Sequence, residues 1–170
     1  DVGAYRDFVA TGARRLGMTQ DEFKARIVGR APSDGASLIP GTESNSNDFH
    51  FDGDPDGVQC PHFAHIRRTN PRTRGEAPVV PRILRRGFSY GPSCQDRTDA
   101  TAPRAESVDR GLVFMAYNAN IAEQFEVIQR WINGGNRSGL LSTQQDLFAG
   151  QGPISQAAYW HRSADPSHDK

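Results

Sequence analysis

The sequence predicts an α+β fold, an antiparallel sheet with helices packed on one face. Three observations predict it. Thr19 is followed three residues later by Glu22, the reciprocal capping pattern of a helix start. Residues 82–90 alternate weakly, and residues 111–117 (Gly-Leu-Val-Phe-Met-Ala-Tyr) are almost continuously apolar, so both read as strands, the second central and buried. Directly after it, Ile121, Phe125, Ile128 and Ile132 recur at helical spacing.

The first helix is expected over 4–16, where Tyr5, Phe8, Val9 and Leu16 make one apolar stripe. The second runs from about 20 to 29, with Phe23, Ile27 and Val28 toward the core and Gly29 and Pro32 stopping it. Residues 32–59 are rich in Ser, Asp, Gly, Asn and Pro and are expected to be a long loop, docked by Phe49 and Phe51. The third helix spans about 119–132 and ends at Gly134-Gly135. Beyond it the chain is polar, and 163–170 reads as a loose tail. With 170 residues, the whole of 1–170 is expected to form a single domain.

Charge and composition exclude some functions. Twenty basic residues balance twenty acidic ones, which argues against a dedicated nucleic-acid binder. No apolar run approaches the ~18–20 residues that span a bilayer. The chain opens on Asp1 without an apolar leader, as expected of a cleaved N-terminus or a fragment, so secretion to the extracellular space is expected, with the cytoplasm as the alternative. Cys60 and Cys94 form one disulfide or stay free thiols.

The chemistry concentrates in residues 60–92. His65 has Arg67, Arg68 and Arg72 within seven residues, an arrangement that suits a ligand bearing carboxylates. Nearby cations also favour the neutral imidazole that a metal ligand needs. Cys60, His62 and His65, with Asp56 or Cys94 as a fourth ligand, offer a zinc reading that matches no common paired spacing. Asp52-Gly-Asp54-Pro-Asp56-Gly57 has the glycine of a calcium loop but puts Phe63 where a bidentate Glu belongs, so it reads as a turn with solvated carboxylates.

Four blocks in order carry a resemblance. Cys60-Pro61-x-x-Ala64-His65-Ile66-Arg67-Arg68-x-Asn70-Pro71-Arg72 resembles the proximal-histidine motif of the dye-decolourising haem peroxidases. Ile83-Leu84-Arg85-Arg86-Gly87-Phe88-Ser89-Tyr90-Gly91 resembles their distal-arginine strand. Gly111–Tyr117 with the Gln124-Phe125 helix, and Asp146-Leu-Phe-Ala-Gly150-Gln151, resemble the segments that follow, so the likeness covers about 20–155.

The resemblance implies a ferredoxin-like half of a peroxidase holding haem b (iron protoporphyrin IX), with His65 as the proximal ligand to iron. Asp146 is implied as the partner of its other ring nitrogen. Arg85 is implied on the distal face, where negative charge develops on the oxygen leaving peroxide and a fixed cation is worth roughly 100–1,000-fold. Leu112 and Phe114 are implied as pocket lining, and Arg67 as a haem propionate contact. Hydrogen peroxide and an organic reductant, a dye or a phenolic or aromatic compound, are the implied substrates. Surface oxidation at Trp131, Tyr159 or Trp160 is a further expectation.

The family's Gly-x-x-Asp-Gly, which supplies a distal aspartate, is not found, and Asp54-Pro-Asp56-Gly57 does not substitute for it. The chain therefore resembles the C-terminal half alone. A second chain carrying the N-terminal half and the aspartate is expected, giving a hetero-oligomer. The alternatives are a truncated fragment and a non-catalytic haem-binding protein.

Overall fold

The computed structural model describes residues 2–72, 80–91, 109–135 and 144–151. Cys94, Tyr159, Trp160 and the tail from Ser163 fall outside them. In chain order come α1 (Val2–Leu16), α2 (Gln20–Val28), α3 (His65–Thr69), β1 (Leu84–Arg85), β2 (Phe88–Tyr90), β3 (Gly111–Val113), β4 (Ala116–Tyr117) and α4 (Phe125–Ile132).

α1 and α2 form a helical hairpin around a core of Val9, Ala13, Leu16, Phe23, Ile27 and Phe63. Gly12 lets the two helices meet: a Cβ there would stand 2.2 Å from the Phe23 ring, which is fully buried. The expected capping box is present. Thr19 Oγ1 accepts from Glu22 N at 3.2 Å, and Thr19 N donates to Glu22 Oε2 at 2.7 Å. These bonds favour the Glu22 carboxylate and lower its pKa. Gly29 closes α2 with φ of 94°, and any Cβ there would strike Ile66 of α3.

Residues 32–59 carry no helix or strand, yet they are tied down at both ends. Arg30 donates to Gly35 O, Ser46 O and Asn47 Oδ1 at 2.6, 3.1 and 2.7 Å. Arg72 donates to Asn47 O, and its guanidinium lies 4.1 Å from the centre of the Phe49 ring. Phe49 and Phe51 dock as expected, in a second core with Cys60 and Ala64. Cys60 is free and buried, and its burial pushes the thiol pKa up to about 12.

The strands form two antiparallel ladders, β1 with β4 (Leu84 opposite Tyr117, Arg85 opposite Ala116) and β2 with β3 (Phe88 opposite Val113, Ser89 opposite Leu112, Tyr90 opposite Gly111). The two share one unbroken register, and Arg86 N donates to Met115 O at 2.8 Å across the gap between them. Residues 84–90 and 111–117 thus make a single two-stranded ribbon with two faces. One face carries Leu84, Arg86, Phe88, Tyr90, Val113, Met115 and Tyr117. The other carries Arg85, Ser89, Leu112 and Phe114.

The expectation of a buried central strand at 111–117 is corrected, because the ribbon is exposed on both faces. Its continuous apolar pattern suits burial on both sides, but among the described residues nothing packs its outer face.

α4 begins six residues later than expected. The Asn120 side chain accepts from Ala122 N and Glu123 N at 3.0 and 3.3 Å, which holds a turn, and Ile121 stays exposed. Ile128, Trp131 and Ile132 are buried, so Trp131 is not a surface aromatic. Gln124 clamps the ribbon to this helix: its Oε1 accepts from Asn120 N, and its Nε2 donates to Arg82 O. Among the described residues, no helix is long and apolar enough to cross a membrane.

Candidate active site

His65 is the first residue of α3, and α3 is fastened from both sides by the two arginines that follow it. Arg68 is wholly buried and caps α4: its Nε donates to Trp131 O at 2.7 Å, and its Nη2 to Trp131 O and to Gly135 O. Arg67 turns the other way. Its Nη1 lies 2.9 Å from Asp54 Oδ2 and 2.7 Å from Cys60 O, its Nη2 donates to Asp54 O, and the guanidinium lies over Phe51 at 4.7 Å.

The propionate contact expected of Arg67 is therefore corrected. Both of its Nη nitrogens are bonded in the interior, away from the cavity described below, and a buried cation stays where its carboxylate is. In the Asp52–Asp56 turn, Asp52 and Asp56 are exposed as expected, and Asp54 is the exception. Asp54 is a buried anchor that also accepts from Gln59 N and Cys60 N at 3.0 and 2.9 Å. Cys60, His62 and His65 do not converge, and among the described residues no set of three such side chains is placed to hold a metal ion. His62 is half-buried, and desolvation, followed by repulsion from Arg67, lowers its pKa.

Asp146 comes to His65 through α4. Asp146 N donates to Ile132 O at 2.8 Å, hanging the late segment on the helix end. The carboxylate is 1% exposed and both oxygens have tasks. Oδ1 accepts from Phe148 N at 2.7 Å and Ala149 N at 3.1 Å. Oδ2 lies 2.5 Å from His65 Nδ1. A carboxylate oxygen can only accept here, so Nδ1 carries the proton and donates it in the bond, which fixes the tautomer. Nε2 is left as a lone-pair nitrogen with no protein partner among the described residues. Phe148 packs edge-on against the imidazole, with centroids 5.6 Å apart.

His65 lines a cavity of about 430 Å³ between the ribbon and the helices. Its apolar wall comes from Phe114, Phe125, Ile128, Ile132 and Phe148, and its cationic residues are Arg82 and Arg85. The cavity thus brings together four residues singled out in the sequence: His65 and, around it, Asp146 as its partner, Arg85 and Phe114. Leu112 is not among the lining residues and is 81% exposed. Sequence reasoning missed Arg82, Phe148 and Gln129. For Phe148 a signal existed, since it stands two residues after Asp146 in the same turn.

Comparison with known proteins shows the family. The model of the family described as Dyp-type peroxidase, C-terminal, matches residues 17–149. The multifunctional dye peroxidase DyP2 of Amycolatopsis sp. is 37% identical over 163 residues, covering 84% of this chain and 34% of that protein. Peroxidase 2 of Mycetinis scorodonius is 33% identical over 153 residues, covering 79% of this chain and 30% of that protein. The solved structure of DyP2 superposes with a TM-score of 0.64 at 35% identity, over 84% of this chain and 34% of that one, which bears out the ferredoxin-like α+β class. The chain spans about a third of the length of the curated relatives it matches. The fold and the match over most of its length make this chain a member of the Dyp-type peroxidase C-terminal family.

Proposed function

We propose that this chain is the haem-binding half of a peroxidase that reduces hydrogen peroxide and oxidises a dye or another phenolic or aromatic reductant. The observation that carries the reading is His65: its Nδ1 is held by a buried carboxylate, its Nε2 is without a partner among the described residues, and it shares a cavity with Arg85.

The donor set fits haem b. One neutral imidazole nitrogen suits an iron ligand, the aromatic and aliphatic wall suits a flat macrocycle, and Arg82 in the lining suits its carboxylates. When bound, haem supplies the redox-active iron at which peroxide is cleaved. His65 would ligate the iron through Nε2. Asp146 keeps the proton on Nδ1, fixes the ring plane and makes Nε2 a stronger donor. Arg85, with no carboxylate partner among the described residues, places a fixed cation where negative charge develops, an effect worth about 100–1,000-fold in rate.

Proton transfer needs a further acid/base worth about 10²–10⁴-fold. Its proposed source is a second chain with the Gly-x-x-Asp-Gly aspartate, assembled as a hetero-oligomer. The exposed face of Leu84, Phe88, Tyr90, Val113, Met115 and Tyr117 supports this, because so large an apolar patch suits a packed partner.

The test is to add iron protoporphyrin IX to the purified chain and record its absorption spectrum, then peroxide turnover with and without co-purifying polypeptides. A Soret band that disappears in His65→Ala is expected. A band indifferent to that substitution, or no band at all, would sink the proposal. A second reading is a haem-binding protein without turnover. It predicts the same band with no turnover under any combination of chains.

A further inference from the structure

The turn at 146–149 sends three consecutive side chains in three directions. The Asp146 carboxylate goes to His65, Leu147 packs against the core that α1 and α2 enclose, and Phe148 enters the cavity wall. The turn is held by other means than the Phe148 ring. Asp146 N donates to Ile132 O, Gly150 N to Asp146 O at 2.9 Å, and Gln151 N to Asn133 Oδ1 at 2.8 Å. The backbone of Phe148 adds its own bond, from N to Asp146 Oδ1. Phe148 is 58% exposed, so its side chain adds little buried area to the fold. Yet its ring stands against the His65 imidazole, with centroids 5.6 Å apart and planes inclined by 68°.

That contact answers a need of the imidazole. The bond at Nδ1 sets the mean plane of the ring but not how far it swings about that plane, because a carboxylate oxygen accepts over a broad range of directions. The helix gives little help. His65 is the first residue of α3, a helix of 5 residues. A helical side chain leans over the turn before its own Cα, and at this position no such turn lies beneath it. The Phe148 ring stands where that support is lacking.

We propose that the Phe148 side chain is a positioning residue for His65, a stop that limits the swing of the imidazole and so keeps Nε2 in one direction. One turn then holds the ring twice, at Nδ1 through the Asp146 carboxylate and across the ring through Phe148. The two tasks differ: Asp146 sets the tautomer, and Phe148 bears on direction alone. The effect on haem binding rests on the haem reading of the cavity, whereas the restraint on the imidazole is present without any ligand.

The test compares the unaltered chain with Phe148→Leu, which keeps the backbone amide and an apolar side chain, and with Phe148→Tyr, which keeps a ring. Without ligand, the labelled His65 ring is followed by NMR relaxation and by its nitrogen shifts. Phe148→Leu should make the ring more mobile and leave its tautomer unchanged. On titration with iron protoporphyrin IX, Phe148→Leu should weaken binding about two- to tenfold, read from the Soret band. The electron paramagnetic resonance signal of its ferric complex should broaden as the imidazole takes several orientations. Phe148→Tyr should restore all of these, and the urea midpoints of both variants should match that of the unaltered chain. An imidazole as rigid in Phe148→Leu as in the unaltered chain would overturn the proposal. So would a mobile ring in both variants with a fall in urea midpoint, the mark of a merely structural role. If no chain gives a Soret band, the haem reading falls, and ring mobility without ligand still decides the role of Phe148.

Discussion

Asp146 Oδ2 stands 2.5 Å from His65 Nδ1 although 81 residues separate them in the chain. The carboxylate is fixed before it meets the imidazole, by two amides of its own turn and by the bond from Asp146 N to Ile132 O. A buried acceptor that is already oriented costs the imidazole little freedom, so the pair sets the direction of the opposite ring nitrogen.

Replacing Asp146 with Asn should keep an acceptor for the Phe148 and Ala149 amides while presenting an NH₂ group to Nδ1. The imidazole then favours the tautomer with its proton on Nε2. Haem affinity is expected to fall about 10–100-fold, measured by Soret titration, with little change in urea midpoint. Unchanged affinity would show that the pair does not tune the ring.

The Asp54–Arg67 pair should behave in the opposite way. Asp54→Asn leaves a buried guanidinium without its counter-charge and is expected to cost about 3–5 kcal/mol of stability in urea unfolding. Haem titration of the folded variant should be unchanged, because Arg67 does not line the cavity. A selective loss of haem affinity at full stability would restore the propionate role to Arg67.

Gly12→Ala would stabilise an ordinary exposed helix position by about 1 kcal/mol. Here the new methyl meets the Phe23 ring, so a net loss of about 1–3 kcal/mol is expected in thermal or urea unfolding. Gly12→Ala combined with Phe23→Leu should recover part of it.

The Cys60 thiol is raised from its ordinary 9.0 to about 12 by burial. Below pH 9 the thiol is neutral in both folded and unfolded chains, and its favourable burial is fully present. Between pH 9 and 12 only the unfolded chain ionises, so stability falls as pH rises. In a Cys94→Ser background, Cys60 should resist alkylation at pH 8 and react only on unfolding. Cys60→Ala should flatten the alkaline limb of the stability curve.

Local rules made much of this legible. The capping box at Thr19, the glycine stop of α2 and the amphipathic α4 follow from neighbours in sequence, and each appeared. His65, Arg85 and Asp146 were legible because motif spacing carries chemistry. Arg67 was misassigned because nothing near it in sequence says which way it turns; Asp54, 13 residues earlier, decides that. The ribbon at 111–117 looked like a buried strand because its residues are suited to burial on both faces. Arg82 was not legible because its place in the cavity lining depends on how the ribbon and α4 meet.

The dependence of the site on α4 also sets an order of assembly. During synthesis His65 leaves the ribosome long before Asp146, and the imidazole stays unoriented until the turn at 146–149 has emerged and docked on Ile132. Under the haem reading, the nitrogen proposed to hold iron gains its direction only after that late turn has docked on α4.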